Sequence, residues 1–196
     1  MSGVRDKMIA GAARLLAQRG LQATSFGAVL AATDAPRGSI YHHFPGGKEE
    51  LVAAAIEATQ RHALSLIDHD IGAPAVEVTQ SFLAAWRALL TYSDFDAGCA
   101  LVAVTVAAES DELRQRTAEA FRAWREKLAR ALAAGGLRAA DAQSTATLLL
   151  AASEGAVVIC RAEQDIAPFE LVATQLTEHV RALAGASATA DADADA

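Results

Sequence analysis

Residues that interrupt helices or favour strands are scarce in this chain. Among 196 residues there are 4 prolines, and aromatic residues make up only 5%. Runs of β-branched residues are almost absent, whereas apolar residues, many of them alanine, account for 53%. Because alanine loses the least free energy on entering a helix, we expect an all-α fold. The length is sufficient for a chain that buries a sizeable core.

Cysteine is equally scarce, which excludes a disulfide framework. Cys99 and Cys160 lie far apart in apolar stretches, without a C-x-x-C motif or a flanking histidine. Both are expected to be small buried hydrophobes in a protein of the reducing cytoplasm. A catalytic thiol at Cys99 would need a nearby histidine, and His179 is the only one beyond residue 70.

Long hydrophobic segments are also missing. The N-terminus has no uninterrupted apolar stretch followed by a small-residue cleavage site, so no signal peptide is expected. The longest apolar run, residues 97–108, is too short to cross a bilayer as a helix. We therefore expect a soluble cytoplasmic protein without a membrane partner.

Positive charge is concentrated at one end of the chain. Residues 1–48 carry a net charge of +4, whereas the remaining residues carry −11. An acidic surface repels a polyanion and a basic one attracts it. The distribution therefore indicates that nucleic acid would bind at the N-terminal end.

Three helices are predicted in this basic region. Apolar residues at helical spacing favour a first helix over residues 4–19, which ends at Gly20. Ser25 is a suitable N-cap for a second helix over residues 26–32. Pro36 suits the first position of a third helix, residues 36–44, before Pro45 ends it. Two short helices joined by a tight turn form a helix-turn-helix.

The third helix has a polar outer surface. Ile40 and Phe44 are four residues apart and should face inward. The outward rows then hold hydrogen-bonding groups and a glycine that lets a target approach closely: Arg37 with Tyr41, Gly38 with His42, and Ser39 with His43. Such groups suit base edges and phosphates in a major groove.

The segment RGSIYHHFPGGKEEL, residues 37–51, resembles the DNA-binding domain of TetR-family regulators, in which the pattern is close to GxxYxHFxxKxxL. The extra glycine in PGGK and the preceding APRGS resemble the LmrA-type branch. The resemblance implies phosphate and groove contacts from Tyr41 and His43, and base readout by Arg37, Ser39 and His42. It further implies a phosphate clamp at Lys48 and phosphate donors at Thr24 and Ser25.

The turn departs from the family pattern at two positions. Asp34 stands where the family usually has glycine, and Pro36 stands where it usually has a serine or threonine cap. Asp tolerates left-handed backbone better than most residues, so we expect the turn to survive.

The remainder is predicted to be a helical body. Apolar stripes at helical spacing continue through residues 63–185, beyond a helix-turn-helix domain at residues 1–62, and residues 186–196 are expected to be a disordered acidic tail. The resemblance implies a homodimer joined through residues 139–183, a palindromic operator and a small-molecule effector. Candidate pocket residues, each also a plausible core residue, are Phe82, Trp86, Tyr92, Cys99, Phe121 and Trp124.

Other functions find less support. His42 and His43 diverge by about 100° on a helix, which disfavours a shared metal ion, and PGGK lacks the spacing of a phosphate-binding loop. No nucleophile with a base, carboxylate pair or cofactor fingerprint is evident, so we expect no metal, cofactor or enzymatic activity. A helical protein-interaction module remains the main alternative. A repressor released by a hydrophobic or aromatic molecule is the preferred hypothesis.

Overall fold

The computed structural model describes residues 3–194, and these form nine α-helices and no strand. This confirms the all-α prediction. The helices are α1 Val4–Ala23, α2 Phe26–Thr33, α3 Arg37–His43, α4 Gly47–His69, α5 Ala75–Tyr92, α6 Ala100–Ala107, α7 Asp111–Ala134, α8 Ala139–Glu163 and α9 Ala167–Ala194.

Two compact units divide the chain. One contains Met1–His62 together with Ala97–Phe121, and the other contains Ala63–Asp96 and Arg122–Ala196. The sequence places residues 97–121 in the C-terminal body, whereas in the structure they belong to the unit that contains the N-terminal helices. The apolar sequence of α6 does not predict which unit this helix packs in.

In the first unit, α1 is the central helix. Met8 and Leu16 on α1 are fully buried, and α2, α3 and α6 pack around it. The α6 segment is also joined to α1 through the backbone, because the Gly98 N–H donates to the Ala17 carbonyl over 2.9 Å. Apolar burial and one main-chain bond thus fix α6 against α1.

In the second unit, α5, α8 and α9 pack against one another. Their core includes Leu90, Leu149 and Phe169, all fully buried. The turn after α7 approaches the start of α5 so closely that a Cβ added at Gly135 would lie 2.5 Å from the Ala75 nitrogen. A glycine is therefore required where these two backbone segments meet.

α8 is long and apolar enough to cross a membrane by composition alone. However, 44% of its most apolar window is buried inside the fold, and its inward residues pack against α5 and α9. A single helix of this kind is weak evidence for a membrane span.

The C-terminal helix is longer than expected. α9 continues to Ala194, so residues 186–194, predicted as part of a disordered tail, are helical. The alanine content accounts for this difference, since alanine has the highest helix propensity. The last two residues of the predicted tail lie outside the described part of the chain.

Candidate nucleic-acid interface

The turn between α2 and α3 is formed by local capping. The Ser25 Oγ accepts a hydrogen bond from the Ala28 N–H over 3.2 Å at the start of α2. At its end, Asp34 adopts left-handed geometry with φ 51° and ψ 35°. Pro36 is the N-cap of α3 rather than its first helical residue, a shift of one position. The turn therefore tolerates Asp34, as expected.

The inward side of α3 is held by two buried residues, Ile40 and the C-cap residue Phe44. Ile40 and Phe44 are both 0% exposed, which confirms that they face inward. Phe44 is also covered by the Arg5 guanidinium of α1, whose Cζ lies 5.3 Å from the ring centroid. With one face held this way, the opposite face of a seven-residue helix must lie outward.

The outward face contains the predicted DNA-contacting side chains. Tyr41 is 68% exposed, and Arg37, Gly38 and His42 are also exposed. Around a Cβ added at Gly38 there is no atom within 4 Å, so this side of α3 is open. A guanidinium, a phenol and an imidazole are thus presented together on one helix surface.

Two further residues of α3 are less accessible. Ser39 is half-buried, and its Oγ donates to the Pro36 carbonyl over 2.6 Å. His43 is half-buried, with its ring centroid 5.4 Å from that of His42. Their hydrogen-bonding groups lie at the edge of the exposed surface rather than at its centre.

Phe26 is a contact that sequence reasoning missed. Its ring meets the Tyr41 ring edge-on, with centroids 5.5 Å apart and planes at 79°. Phe26 is the first residue of α2 and is half-buried. Edge-on ring contacts of this kind are favourable, so the contact supports the observed orientation of the Tyr41 side chain.

The two predicted phosphate donors at the start of α2 are not equivalent. Thr24 is 1% exposed, and its Oγ1 donates to the Gly20 carbonyl over 2.9 Å. The prediction that it offers its hydroxyl to phosphate is therefore wrong, because this hydroxyl caps the end of α1. Ser25 is exposed, and its oxygen already accepts the capping bond within α2.

Lys48 is likewise engaged within the chain. Its Nζ donates to the Leu21 carbonyl over 2.7 Å. The residue is half-buried at the start of α4. Its role as a phosphate clamp stays a prediction, and its intrachain partner was not foreseen.

Comparisons with known proteins agree with this geometry. Residues 8–55 match the family model described as bacterial regulatory proteins, tetR family. Residues 75–175 match that of the transcriptional regulator LmrA/YxaF-like C-terminal domain. The second match alone covers more than half of the chain. The chain belongs to the TetR family.

Similar TetR-family proteins span nearly the same length. The chain is 34% identical to an uncharacterized HTH-type transcriptional regulator of Mycobacterium tuberculosis, over 90% of the chain and 93% of that protein. It is 30% identical to the uncharacterized regulator YxaF of Bacillus subtilis, over 90% and 95%. A TetR regulator structure from Legionella pneumophila shares the fold with a TM-score of 0.82 at 22% identity, over 91% and 98%.

Members of the TetR family are transcriptional regulators that bind operator DNA, act as dimers and are not enzymes. The LmrA-type resemblance read from PGGK and APRGS is confirmed by the C-terminal match.

The predicted pocket residues of this TetR-family chain are dispersed. Phe82 and Trp86 are neighbours on α5, with ring centroids 6.3 Å apart, and Trp124 is 6% exposed in the same unit. Cys99 and Phe121 belong to the other unit.

Tyr92 is 92% exposed, so the prediction that it lines an interior pocket is wrong. It is the last residue of α5, and its position six residues after Trp86 turns it away from the buried side of that helix.

The two cysteines differ in environment. Cys160 is 0% exposed, and burial raises the pKa of its thiol. A protonated, enclosed thiol is a packing group, as predicted. Cys99 is half-buried at the N-cap of α6, which is more open than expected.

α8 and α9 expose an apolar surface on the side away from their core. Leu148, Val158 and Ile159 of α8 are 44%, 59% and 46% exposed, and Leu171 of α9 is 71% exposed. Gly155 lies in the same outward stretch, and no atom lies within 4 Å of the position its Cβ would take. We call these five residues the outer apolar face.

Proposed function

We propose that this chain is a repressor that binds palindromic double-stranded operator DNA with α3 and releases it when a small molecule binds. The observation that carries the proposal is the exposed row of Arg37, Gly38, Tyr41 and His42 above two fully buried anchors. These groups match the donors and acceptors of base edges and phosphates. Family membership supports operator DNA as the target.

Dimerisation is proposed to occur through residues 139–183, that is, through α8 and the first part of α9. The outer apolar face supports this assignment, because large apolar side chains left exposed on these two helices are candidates for an interaction site. A single seven-residue helix makes few base contacts, and a two-fold pair doubles them. Two copies of α3 would then enter successive major grooves of a palindrome.

The effector is proposed to be small and hydrophobic or aromatic. Phe82, Trp86 and Trp124 concentrate aromatic surface in the second unit, and aromatic side chains commonly line small-molecule sites. Release follows if the effector binds more tightly to an arrangement in which the two α3 helices no longer match the groove spacing. The proposed place of action is the cytoplasm, where free cysteines stay reduced.

Two substitutions on α3 test the DNA contact. Operators are first selected from random duplexes with the full-length protein. Tyr41→Ala should then weaken binding to all sequences alike, whereas Arg37→Ala should alter the preferred bases. Binding is measured by fluorescence anisotropy over a range of salt concentrations. If Tyr41→Ala leaves affinity unchanged on every duplex, α3 does not dock as proposed.

Repression and release are tested with the selected operator placed before a reporter gene. Expression of the protein should lower transcription, and a screen of hydrophobic and aromatic compounds should find one that restores it. A rise in transcription on expression of the protein would instead make it an activator.

A further inference from the structure

α1 and α2 approach each other most closely at a glycine. Gly11 is buried on α1, and a Cβ added there would lie 2.4 Å from the Thr33 Cγ2 of α2. Two non-bonded carbon atoms do not come so close, since their optimal separation is about 3.5–4.0 Å. The last turn of α2 therefore packs on α1 at a position where a glycine leaves the necessary room.

The Thr33 side chain is held in the orientation that points its methyl group at Gly11. Its Oγ1 donates to the Val29 carbonyl over 2.7 Å. Because a β-branched side chain has few χ1 rotamers in a helix, this bond also sets the direction of the methyl group. A rotation that moved the Cγ2 away from Gly11 would take the hydroxyl away from its acceptor.

A second contact joins the same two helices one turn further along α1. The Arg14 Nη2 donates to the Ala32 carbonyl over 3.2 Å. Gly11 and Arg14 are three residues apart, so they lie on one side of α1. Ala32 and Thr33 are the last two residues of α2, where helix carbonyls attract cations. We call these four residues the Gly11 junction.

The Gly11 junction lies directly before the turn of the helix-turn-helix. Asp34, the residue after Thr33, has the left-handed conformation, and Pro36 is already the N-cap of α3. Three residues span little distance and leave little slack between the two helices. The position of the last turn of α2 on α1 therefore determines where α3 begins.

The other end of α3 is attached to α1 separately. Phe44, the C-cap residue of α3, is fully buried and lies under the Arg5 guanidinium of α1. A shift at the Gly11 junction would thus displace the start of α3 while its end stays in place. Such a tilt moves Arg37 and Gly38, the first two residues of α3, the furthest.

We infer that Gly11 is a positioning residue for sequence discrimination, because through Thr33 it fixes the place of Arg37 at the start of α3. The inference rests on the proposed function, in which α3 reads operator DNA. Contacts to phosphates contribute affinity for any duplex, whereas base readout requires donors and acceptors to be aligned with one base edge. Gly11 therefore contributes to specificity rather than to general DNA affinity.

The test measures the affinity of Gly11→Ala for a selected operator and for an unrelated duplex. Fluorescence anisotropy is used at a temperature where circular dichroism shows that each variant is folded. The ratio of the two affinities should fall about tenfold, which corresponds to the loss of one good base contact. A smaller folded fraction alone would weaken binding to both duplexes alike and leave the ratio unchanged.

Thr33→Ser is the compensating substitution. It removes the Cγ2 that the new Cβ would meet and keeps the hydroxyl that bonds to Val29. The double variant should recover most of the wild-type ratio, and Thr33→Ser alone should stay near it. Gly185→Ala on α9, where a Cβ meets no neighbouring atom, is the matched control and should keep the wild-type ratio. An unchanged ratio in Gly11→Ala, or no recovery in the double variant, would overturn the inference.

Arg14→Met tests the same junction if Gly11→Ala does not fold. It removes the bond to the Ala32 carbonyl without adding an atom between the helices. The lost charge affects both duplexes alike, so a lower ratio would come from the displaced helix. A ratio equal to that of wild type would count against the inference.

Hydrogen exchange of the DNA-free protein separates failure of this inference from failure of the proposed function. Amides within residues 33–38 should exchange several-fold faster in Gly11→Ala than in wild type, and the double variant should restore their protection. Unchanged exchange in Gly11→Ala would also overturn the inference. If the wild-type protein selects no operator, the proposed function fails, whereas the exchange experiment still decides whether Gly11 positions the turn.

Discussion

The outward faces of α3 and α8 present a direct contrast. Each is exposed in the single chain, and each contains a glycine, Gly38 or Gly155, around whose missing Cβ there is open space. Their chemistry differs completely: α3 exposes a guanidinium, a phenol and an imidazole, whereas α8 exposes leucine, valine and isoleucine side chains. The difference indicates two different partners, a polar and charged one for α3 and an apolar one for α8.

The contrast follows from the interactions that each proposed partner offers in place of water. A DNA groove offers donors, acceptors and phosphates, so polar side chains exchange water for equivalent hydrogen bonds. In the proposed dimer, a second copy of α8 and α9 offers apolar surface, so association releases water from both sides. A face suited to one partner is therefore poorly suited to the other.

The largest effect is expected from a charge placed on the outer apolar face. Val158, 59% exposed in the chain, becomes buried if α8 forms the dimer interface. Val158→Glu should then raise the dimer dissociation constant by about 100-fold or more, since an unpaired buried carboxylate costs several kcal/mol. Analytical ultracentrifugation measures the change.

Val106→Glu is the matched control for this experiment. Val106 is 79% exposed on α6, outside α8 and α9. The same substitution there should leave the dimer intact. If Val106→Glu dissociates the dimer and Val158→Glu does not, the assignment of the interface to α8 is wrong.

A glycine needed for internal packing should behave differently from the two glycines on the outward faces. A Cβ at Gly135 would lie 2.5 Å from the Ala75 nitrogen and 2.6 Å from the Ala73 carbonyl oxygen. Gly135→Ala should therefore lower the free energy of unfolding by about 1–3 kcal/mol.

Urea denaturation followed by circular dichroism measures this loss. Gly38→Ala serves as the control in the same assay, because a Cβ there meets no neighbouring atom. Equal stability of Gly135→Ala and wild type would mean that the backbone around Ala75 can move aside.

The sequence specified α3 more fully than its surroundings. Ile40 and Phe44 were predicted to face inward because helical spacing alone determines which side they occupy, and both are fully buried. The intrachain partners of Thr24 and Lys48 were not foreseen, because they are the main-chain carbonyls of Gly20 and Leu21. A donor to a main-chain carbonyl leaves no complementary residue in the sequence.

Two further differences have separate origins. The apolar stripe of α6 fits either unit, so periodicity does not reveal that it packs on α1. Tyr92 lies six residues after Trp86, which turns it about 120° away from the buried side of α5, whereas Leu90 on the same last turn is 0% exposed. Helical periodicity therefore bears on Tyr92, whereas the partner of α6 depends on tertiary packing.

A moderate effect on DNA binding is expected from a single methyl group on α3. Gly38→Ala adds a Cβ into open space, and alanine is favoured over glycine in a helix by up to about 1 kcal/mol, so stability should hold or rise. Affinity for the operator should nevertheless fall about tenfold if DNA approaches the backbone there, a cost of about 1.4 kcal/mol. Anisotropy and urea denaturation on the same preparation separate the two effects. Unchanged affinity would mean that this part of α3 lies away from the bases.

The smallest effect is expected where charge contributes to the second unit, in the ion pair that joins α5 to α9. The Arg87 Nε and Nη2 donate to the two Glu170 carboxylate oxygens over 2.5 and 2.7 Å. These bonds hold the pKa of Glu170 below its ordinary value and raise the pKa of Arg87. Because the side chains are 40% and 43% exposed, solvent screening limits the contribution to less than about 1 kcal/mol.

The sign of the pH dependence follows from the lowered pKa of Glu170. The pair stabilises the fold at neutral pH, above the unfolded-state pKa of about 4.3, and this stabilisation is lost as the pH falls through the lower folded-state pKa. Glu170→Gln should therefore be slightly less stable than wild type at pH 7, with a difference that disappears in acid. Urea denaturation at a series of pH values measures it. If Glu170→Gln lowers the free energy of unfolding by well above about 1 kcal/mol at pH 7, the second unit depends on this charge pair as well as on apolar packing. The contrast between a polar α3 and an apolar second unit would then be weaker.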